Sequence, residues 1–225
     1  MIPWVQLDQA AIPGSSETLR LKRRGAEFSI MLGSNELMNS RLSGSEEALA
    51  RLSCAKLADQ PSTHVLIGGL GMGFTLRAAL AELGAGASVT VAELVPAVVA
   101  WARGPMSELF GGCLDDSRVT IRETDVGALI RTAKAHYNAV LLDVDNGPDG
   151  LTRKANDALY DLAGLRAAHA ALRNGGVLAV WSSARDPAFT KRLGQAGFSV
   201  EEVSPRSRGK RGIRHVIWIA TRVAQ

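Results

Sequence analysis

The chain has few cysteines, no metal-binding pattern and no long apolar run, and each absence argues against a class of protein. Cys54 and Cys113 are its only two cysteines among 225 residues. They lie outside any CxxC or Cys/His spacing, which predicts reduced thiols and argues against a metal site. No stretch of about 18 residues is apolar and uncharged, and the N-terminus lacks the pattern of a signal peptide. We therefore expect a cytoplasmic protein that uses no metal and does not span a membrane.

Acidic residues are missing from one basic segment, and aromatic residues are missing from both basic clusters. The formal net charge is +4, with positive charge gathered at residues 20–24 and 206–214 and no acid between Ser204 and Arg214. Solvated loops are the simpler explanation, and an anionic partner such as RNA, DNA or a phosphorylated substrate is the alternative. Since no aromatic side chain interleaves with these charges to stack on bases, nucleic acid is the less favoured partner.

The sequence does contain a glycine-rich stretch, VLIGGLGMGFTLR, at Val65–Arg77. Its apolar start predicts a buried strand, and a helix is predicted at its end. Four glycines lie between the two: Gly68, Gly69, Gly71 and Gly73. A loop with so few side chains lets backbone N–H groups and a helix N-terminus approach a nucleotide-type ligand closely. The G-x-G-x-G spacing differs from the G-x-G-x-x-G of dinucleotide-binding loops, which disfavours a dinucleotide.

From His64 onward, extended apolar runs alternate with helical patterns, which is typical of a parallel, doubly wound α/β sheet. Strands are expected at 65–68, 88–93, 119–123, 139–143 and 177–182. Two more extended runs, Phe198–Val203 and His215–Thr221, are joined by a loop too short for a crossover helix, which predicts an antiparallel pair at the sheet edge. Seven strands with this ending resemble the class I S-adenosylmethionine-dependent methyltransferase fold, which is Rossmann-like.

A different pattern precedes this alternation, so we divide the chain into a short N-terminal β-hairpin region at 1–42 and a nucleotide-binding catalytic domain at 43–225. Thr18–Arg23 and Ala26–Leu32 alternate apolar and polar residues around an Arg24-Gly25 turn, which predicts a β-hairpin. The segment 36–41 is a candidate for one more strand. Ser43 and Glu46 have the spacing of a capping box at the start of the next helix.

Polar side chains follow the second, third and fourth predicted strands of the α/β part. Glu93 ends the second strand about 20 residues beyond the glycines, where nucleotide-binding folds place an acid for ribose hydroxyls. Asp125 follows the third strand and is equally suited to an adenine amino group and to capping the next helix. Asp143, Asp145 and Asn146 follow the fourth strand and should face the reactive end of a bound nucleotide, so they are the candidate catalytic residues.

The order and spacing of several segments resemble the spermidine/spermine synthase family, the aminopropyltransferases, including its short divergent relatives. The segments are SEEALA, IGGLGMGFTLR, VAELVPAVVAWAR, DDSRVTIRETD, LLDVDNGP, ALYDLAGL and LRNGGVLAVWSS. The resemblance implies a transferase that alkylates an amine-type acceptor with an adenosylsulfonium donor, either decarboxylated S-adenosylmethionine or S-adenosylmethionine itself. It also implies that Glu93 holds the ribose, Asp125 the adenine, and that Asp143 is a base or anchor for the attacking amine.

The resemblance further implies an acidic pocket for a small-molecule amine or other nucleophile. Candidate acids of that pocket are Glu36, Glu46 and Glu47. Tyr160 and Trp181 are candidates for its walls, although both also suit core packing. Members of the family associate through their N-terminal β region, and an exposed hairpin edge invites pairing, so we expect a homodimer. The four histidines show no ligand spacing and are assigned structural or surface roles.

Two departures from the family pattern leave the transferred group open. Leu70-Gly71 stands where the family's glycine loop, GGGDGG, carries an aspartate, and Asn146 stands where its D-x-x-D pattern has a second aspartate. A loop without that aspartate would accept the carboxylate of intact S-adenosylmethionine, so methyl transfer is an alternative to aminopropyl transfer. A nucleoside-binding module without catalysis is the third possibility.

Overall fold

Alternating apolar residues build a four-stranded antiparallel sheet at the N-terminus of the computed structural model, which describes residues 2–57, 62–144, 154–208 and 211–223. Its strands follow chain order: β1 (Val5–Ala11), β2 (Thr18–Arg24), β3 (Glu27–Leu32) and β4 (Asn35–Asn39). Leu19 and Leu21 of β2 are buried while their neighbours are more exposed. The expected β2–β3 hairpin is present, but it is the centre of a sheet whose edges are β1 and β4.

Within the described ranges, nine further strands follow. They are β5 (His64–Gly68), β6 (Ser88–Glu93), β7 (Val119–Glu123), β8 (Tyr137–Leu142), β9 (Leu172–Ser182), β10 (Phe198–Val203), β11 (Arg206–Arg208), β12 (Arg211–Arg214) and β13 (Val216–Arg222). All except β11 and β12 form one seven-stranded sheet in the order β10-β13-β9-β8-β5-β6-β7. The strands from β5 to β9 run parallel, and β13 is antiparallel to both β9 and β10. This is the expected class I methyltransferase-like arrangement.

Helices connect these strands and cover both faces of the sheet. They are α1 (Gly44–Ala55), α2 (Phe74–Glu82), α3 (Pro96–Arg103), α4 (Ser107–Phe110), α5 (Val126–Thr132), α6 (Lys154–Tyr160), α7 (Leu162–Ala171) and α8 (Pro187–Gln195), with a 3-10 turn at Cys113–Asp115. The expected capping box at the start of α1 is absent, because the Ser43 side chain caps no backbone N–H. Glu46 instead accepts a hydrogen bond from Ser45 Oγ at 2.7 Å.

The seven-stranded sheet separates two hydrophobic cores, and the alternation of side chains along β5 shows the division. Val65 and Ile67 belong to the core that also contains Leu21 and Ile30 of the N-terminal sheet. Leu66 points into the opposite core, beneath α5, α7 and α8. Because successive strand residues face opposite sides, a continuous apolar strand contributes to both cores. The N-terminal sheet therefore shares a hydrophobic core with one face of the α/β sheet, and the division at residue 42 stays a prediction.

The order of the strands places a crevice where β5 lies between β6 and β8, since the chain first adds strands on one side of β5 and then on the other. In open α/β sheets, ligands bind at the carboxyl ends of strands at such a switch point. The glycine-rich loop follows β5. Glu93 is the last residue of the neighbouring strand β6, and Asp143 directly follows the other neighbour, β8. The topology thus brings three predicted site segments to one edge.

The basic loop between β10 and β13 forms a small hairpin, β11–β12, that rests on the start of α1. A Cβ on Gly44 would lie 2.8 Å from the carbonyl oxygen of Arg206, so glycine permits this close approach. Within the described ranges, no helix is long and apolar enough to cross a membrane. The homodimer stays a prediction. The strand beside the N-terminal β2–β3 hairpin is the edge strand β1, on which Val5 and Leu7 are exposed.

Candidate functional site

A cavity of about 190 Å³ opens at the carboxyl edge of the sheet, between that edge and the N-terminal sheet. The floor comes from segments that follow β5, β6, β7 and β8, and the roof is apolar. The lining residues are Ile12, Leu19, Leu32, Leu37, Met38, Asn39, Glu46, Gly69, Leu70, Gly71, Met72, Phe74, Ala92, Glu93, Leu94, Val95, Thr124, Asp125, Val126, Asp143, Val144 and Trp181. An apolar pocket with a few convergent polar groups is the usual form of a small-molecule site.

Two of the four glycines in the glycine-rich loop line this cavity. Gly69 has φ +90° and lies against the carbonyl oxygen of Asp143, which leaves no room for a side chain. Gly71 has φ +50°, and a Cβ there would lie 3.1 Å from Met38 Sδ. Gly68 and Gly73 pack against neighbouring side chains instead. Gly69 and Gly71 therefore bring backbone without side chains to the cavity, as a nucleotide-binding loop requires.

Glu93 is 7% exposed and joins the glycine-rich loop to the start of α3. Its Oε2 accepts a hydrogen bond from Leu70 N at 3.0 Å, and its Oε1 accepts one from Val95 N at 2.8 Å. Burial raises the pKa of Glu93, against the backbone hydrogen bonds, which lower it. The carboxylate thus orders the loop and still lines the cavity. Its free lone pairs could accept hydroxyl donors such as those of a ribose.

Asp125 is the N-cap of α5 and also lines the cavity. Its Oδ1 accepts a hydrogen bond from Ala128 N at 3.0 Å, which satisfies one of the free amide groups at the helix start. Of the two roles expected from the sequence, the cap is therefore present. Contact with an adenine stays a prediction that the position beside the cavity allows.

Two carboxylates from distant parts of the chain, Glu46 of α1 and Asp143 after β8, meet at the cavity wall. We call them the carboxylate pair. Thr75 Oγ1 donates a hydrogen bond to Asp143 Oδ2 at 2.6 Å and lies 3.4 Å from the Glu46 carbonyl oxygen. Thr75 is 3% exposed and stands in the first turn of α2, so a rigid element orients Asp143.

Both acids of the carboxylate pair hold their protons more tightly than in water. Burial is the main cause of the raised pKa of Asp143, which reaches about 7, and the negative charge of Glu46 adds to it against the Thr75 hydrogen bond. Burial also raises the pKa of Glu46, against the hydrogen bond from Ser45, which lowers it. A carboxyl group with a pKa near neutrality can both take up and release a proton at physiological pH.

A serine and a histidine extend from this pair away from the cavity. Ser45 is 0% exposed, and its Oγ lies 2.7 Å from Glu46 Oε2 and 2.8 Å from His215 Nδ1. His215 is half-buried between β12 and β13, and its ring packs edge-to-face on Trp181 with centroids 4.8 Å apart. Burial lowers the pKa of His215. Trp181, a predicted wall residue, lines the cavity.

Other predicted site residues lie elsewhere. Glu36 accepts hydrogen bonds from Ser29 Oγ at 2.7 Å and Arg41 at 2.9 Å and does not line the cavity. Glu47 pairs with Arg51 at 2.9 Å on the outer side of α1. Tyr160 is buried against Phe189, with ring centroids 5.7 Å apart. Asp145 and Asn146 lie outside the described residues. Among the residues the structure does describe, no three His, Cys, Asp or Glu side chains group as metal ligands.

Residues of the N-terminal region, among them Ile12 and Leu32, form the apolar roof of the cavity. Two residues of the site were not among the predicted site residues. His215 was assigned a structural or surface role, because nothing in its neighbourhood along the chain points to Ser45. Thr75, in the first turn of α2, is a hydroxyl donor to Asp143. A Thr at the first turn after a glycine-rich loop is the one local signal that could have been used.

Comparison with solved structures gives close likenesses in architecture. A spermidine synthase in complex with the transition-state analogue AdoDATO matches 98% of this chain and 73% of its own, with 17% identity and a TM-score of 0.74. Spermidine synthase from Thermotoga maritima matches 98% and 74%, with 17% identity and a TM-score of 0.75. A probable spermidine synthase from Corynebacterium glutamicum matches 96% and 79%, with 14% identity and a TM-score of 0.67.

The fold is that of the spermidine synthases. A likeness in sequence accompanies it: polyamine aminopropyltransferase 1 of Streptomyces coelicolor is 37% identical over 106 residues, which are 45% of this chain. That match spans 20% of the relative's own length. No family model matches the chain. The spermidine-synthase fold and the cavity at its switch point are therefore the basis on which a function can be proposed.

Proposed function

We propose that this protein is a spermidine-synthase-like transferase that moves an alkyl group from an adenosylsulfonium nucleoside to an amine. The observation that carries the proposal is the carboxylate pair, Glu46 and Asp143, at the wall of the cavity that the glycine-rich loop and Glu93 also line. Two partly desolvated acids attract a cationic amine, and an acid whose pKa lies near 7 can accept the proton that the amine must lose before it attacks.

Each part of the cavity would have a separate task. The backbone at Gly69 and Gly71 and the Glu93 carboxylate would hold the ribose side of the donor, and Asp125 would accept a hydrogen bond from its adenine. The donor supplies a carbon that a neighbouring sulfonium makes electrophilic. Asp143, fixed by Thr75, would orient the acceptor nitrogen and take its proton.

The charge of the cavity favours a decarboxylated donor. The carboxylate pair lies directly beside the glycine-rich loop, since Gly69 packs on the carbonyl oxygen of Asp143. A donor with a sulfonium and an ammonium group suits this negative wall, whereas the extra carboxylate of intact S-adenosylmethionine is repelled by it. Aminopropyl transfer is accordingly the first candidate reaction.

Methyl transfer is the second candidate, and the pair Leu70-Gly71 is the observation that favours it. Leu70 is 5% exposed, both residues line the cavity, and the pair stands in place of the glycine and aspartate that the resemblance leads one to expect. Without a charged side chain, this part of the loop neither attracts the donor's ammonium group nor repels its carboxylate. The loop itself would then admit intact S-adenosylmethionine.

Calorimetric titration with decarboxylated S-adenosylmethionine, S-adenosylmethionine and methylthioadenosine separates these candidates. We expect the decarboxylated donor to bind most tightly. A clear preference for intact S-adenosylmethionine would favour methyl transfer. Binding together with no transfer to any amine would leave a nucleoside-binding module, and no binding at all would overturn the proposal.

Mass spectrometry of an amine panel incubated with the preferred donor then tests the role of Asp143. We expect Asp143→Asn to bind the donor as the unmodified protein does and to lose transfer by about 100-fold or more. Glu47→Gln is the matched control, because Glu47 lies on the same helix as Glu46 but pairs with Arg51 outside the cavity. Unchanged transfer by Asp143→Asn would remove Asp143 from the mechanism.

A further inference from the structure

A continuous line of polar atoms leads out of the cavity beside the carboxylate pair. Glu46 Oε2, Ser45 Oγ and His215 Nδ1 are joined by distances of 2.7 Å and 2.8 Å, both within hydrogen-bonding range. Ser45 is wholly buried, whereas His215 is half-buried and sits on the connection between the basic hairpin and β13. The line therefore starts at a buried acid and ends at an imidazole that reaches the surface.

We propose that Ser45 and His215 form a proton exit path that returns Glu46 to its ionised form after the carboxylate pair has deprotonated an acceptor. The proposal rests on the proposed function for the source of the proton. The path itself is a property of the three side chains. Ser45 and His215 act through Glu46 and do not touch the acceptor.

The transfer balances without any co-reactant. Asp143 takes one proton from the amine and passes it to the Glu46 carboxylate, the other member of the pair. The protonated Glu46 then donates its proton to Ser45 Oγ while the Ser45 hydroxyl proton passes to His215 Nδ1. The imidazolium releases its Nε2 proton to water, and the hydroxyl and the imidazole tautomer then reset. One proton has moved from the cavity to solvent, and each side chain is as it was.

The surroundings of His215 suit a group that receives a proton and passes it on. Burial lowers its pKa, so the neutral form that can accept a proton predominates at neutral pH. Its described side-chain contacts are uncharged, since Ser45 lies at Nδ1 and Trp181 of β9 packs on the ring. The charged groups nearest to it are Glu46, which it reaches through Ser45, and Arg214, the residue before it in the chain. The negative charge of Glu46 supports a transient imidazolium.

NMR titration of the His215 ring in the full chain tests the path without requiring turnover. Glu46→Gln should lower the His215 titration midpoint by about one pH unit, because it removes the negative charge at the far end of the line. Ser45→Ala should also lower it, and should reduce the effect of Glu46→Gln when the two changes are combined. Glu47→Gln, on the same helix, should leave the midpoint almost unchanged. Identical midpoints in the wild-type protein, Ser45→Ala and Glu46→Gln would overturn the proposal.

A rate measurement distinguishes a proton path from a merely structural role. Ser45→Ala should lower kcat by about 100-fold at neutral pH with little change in the KM for the amine. The loss should shrink at alkaline pH, where the free amine needs no base, and imidazole should restore part of the activity of His215→Ala. A loss that is the same at every pH would contradict the path. Absence of transfer at all pH values would refute the proposed function, whereas the NMR titration would still decide whether the path exists.

Discussion

Replacing Asp143 by asparagine should stabilise the fold at neutral and alkaline pH while it lowers transfer by about 100-fold or more. The asparagine oxygen can still accept the Thr75 hydroxyl, which lies 2.6 Å from Asp143 Oδ2, but the side chain cannot ionise. In the wild-type protein, the ionised form stands in a cavity with Glu46 close by. The free energy of unfolding should therefore carry a penalty that the asparagine removes.

The magnitude follows from the pKa of Asp143. Burial, followed by the charge of Glu46, raises it from 3.8 to about 7. Each unit of pKa shift corresponds to about 1.4 kcal/mol, so the whole shift would lower the free energy of unfolding by about 4 kcal/mol. Because Asp143 lines an open cavity, solvent screens part of this effect, and we expect about 2–4 kcal/mol.

The pH dependence has a definite sign. Below about pH 4, both the folded and the unfolded chain hold the proton and the penalty is absent. It grows as the pH rises towards 7 and is constant above.

Urea unfolding between about pH 5 and pH 9 measures this difference directly. The stability of Asp143→Asn relative to the wild-type protein should rise by about 1.4 kcal/mol per pH unit at most and level off above about pH 7. Asp115→Asn is the control, because Asp115 is 80% exposed beside Arg103 and its change should stay within about 0.5 kcal/mol. A difference that does not vary with pH, or a less stable Asp143→Asn at pH 8, would refute the reasoning.

Two further predictions concern the walls of the cavity. Gly69→Ala should lower the free energy of unfolding by more than about 2 kcal/mol, since φ is +90° and the new Cβ would collide with the Asp143 carbonyl oxygen. Gly111→Ala is the control in the same urea assay. Its φ is +57° but the space around it is open, so it should cost only about 1 kcal/mol. Asp125→Ala and Asp161→Ala each remove an N-cap and should each cost about 1 kcal/mol, but only Asp125→Ala should also weaken donor binding in calorimetry. Equal donor affinity in the two aspartate variants would assign Asp125 to capping alone.

Much of the α/β sheet could be predicted because its signals are local. Buried parallel strands are apolar on both faces, so β5 and β8 appear as continuous apolar runs that helical patterns separate. The carboxyl end of each such strand is known once the strand is known, which is why Glu93, Asp125 and Asp143 could be named as neighbours. The strand β1 was missed for the opposite reason. Its side chains are almost all exposed, and it has no apolar face that a pattern could reveal.

By itself, the sequence determined the class of sheet, the glycine-rich loop and the acids at the strand ends. Tertiary structure alone decided which acids of the helix α1 join the strand-end acids at the cavity. Glu46 and Glu47 are adjacent along α1, yet one faces Asp143 and the other pairs with Arg51 on the surface, because successive helix residues point about 100° apart and only the packing of α1 fixes which side faces inward. Ser45 and His215 are 170 residues apart and meet only when β13 has joined the sheet beside β9. Contacts of that kind leave no trace in local periodicity, so the proton path could be found only in the folded chain.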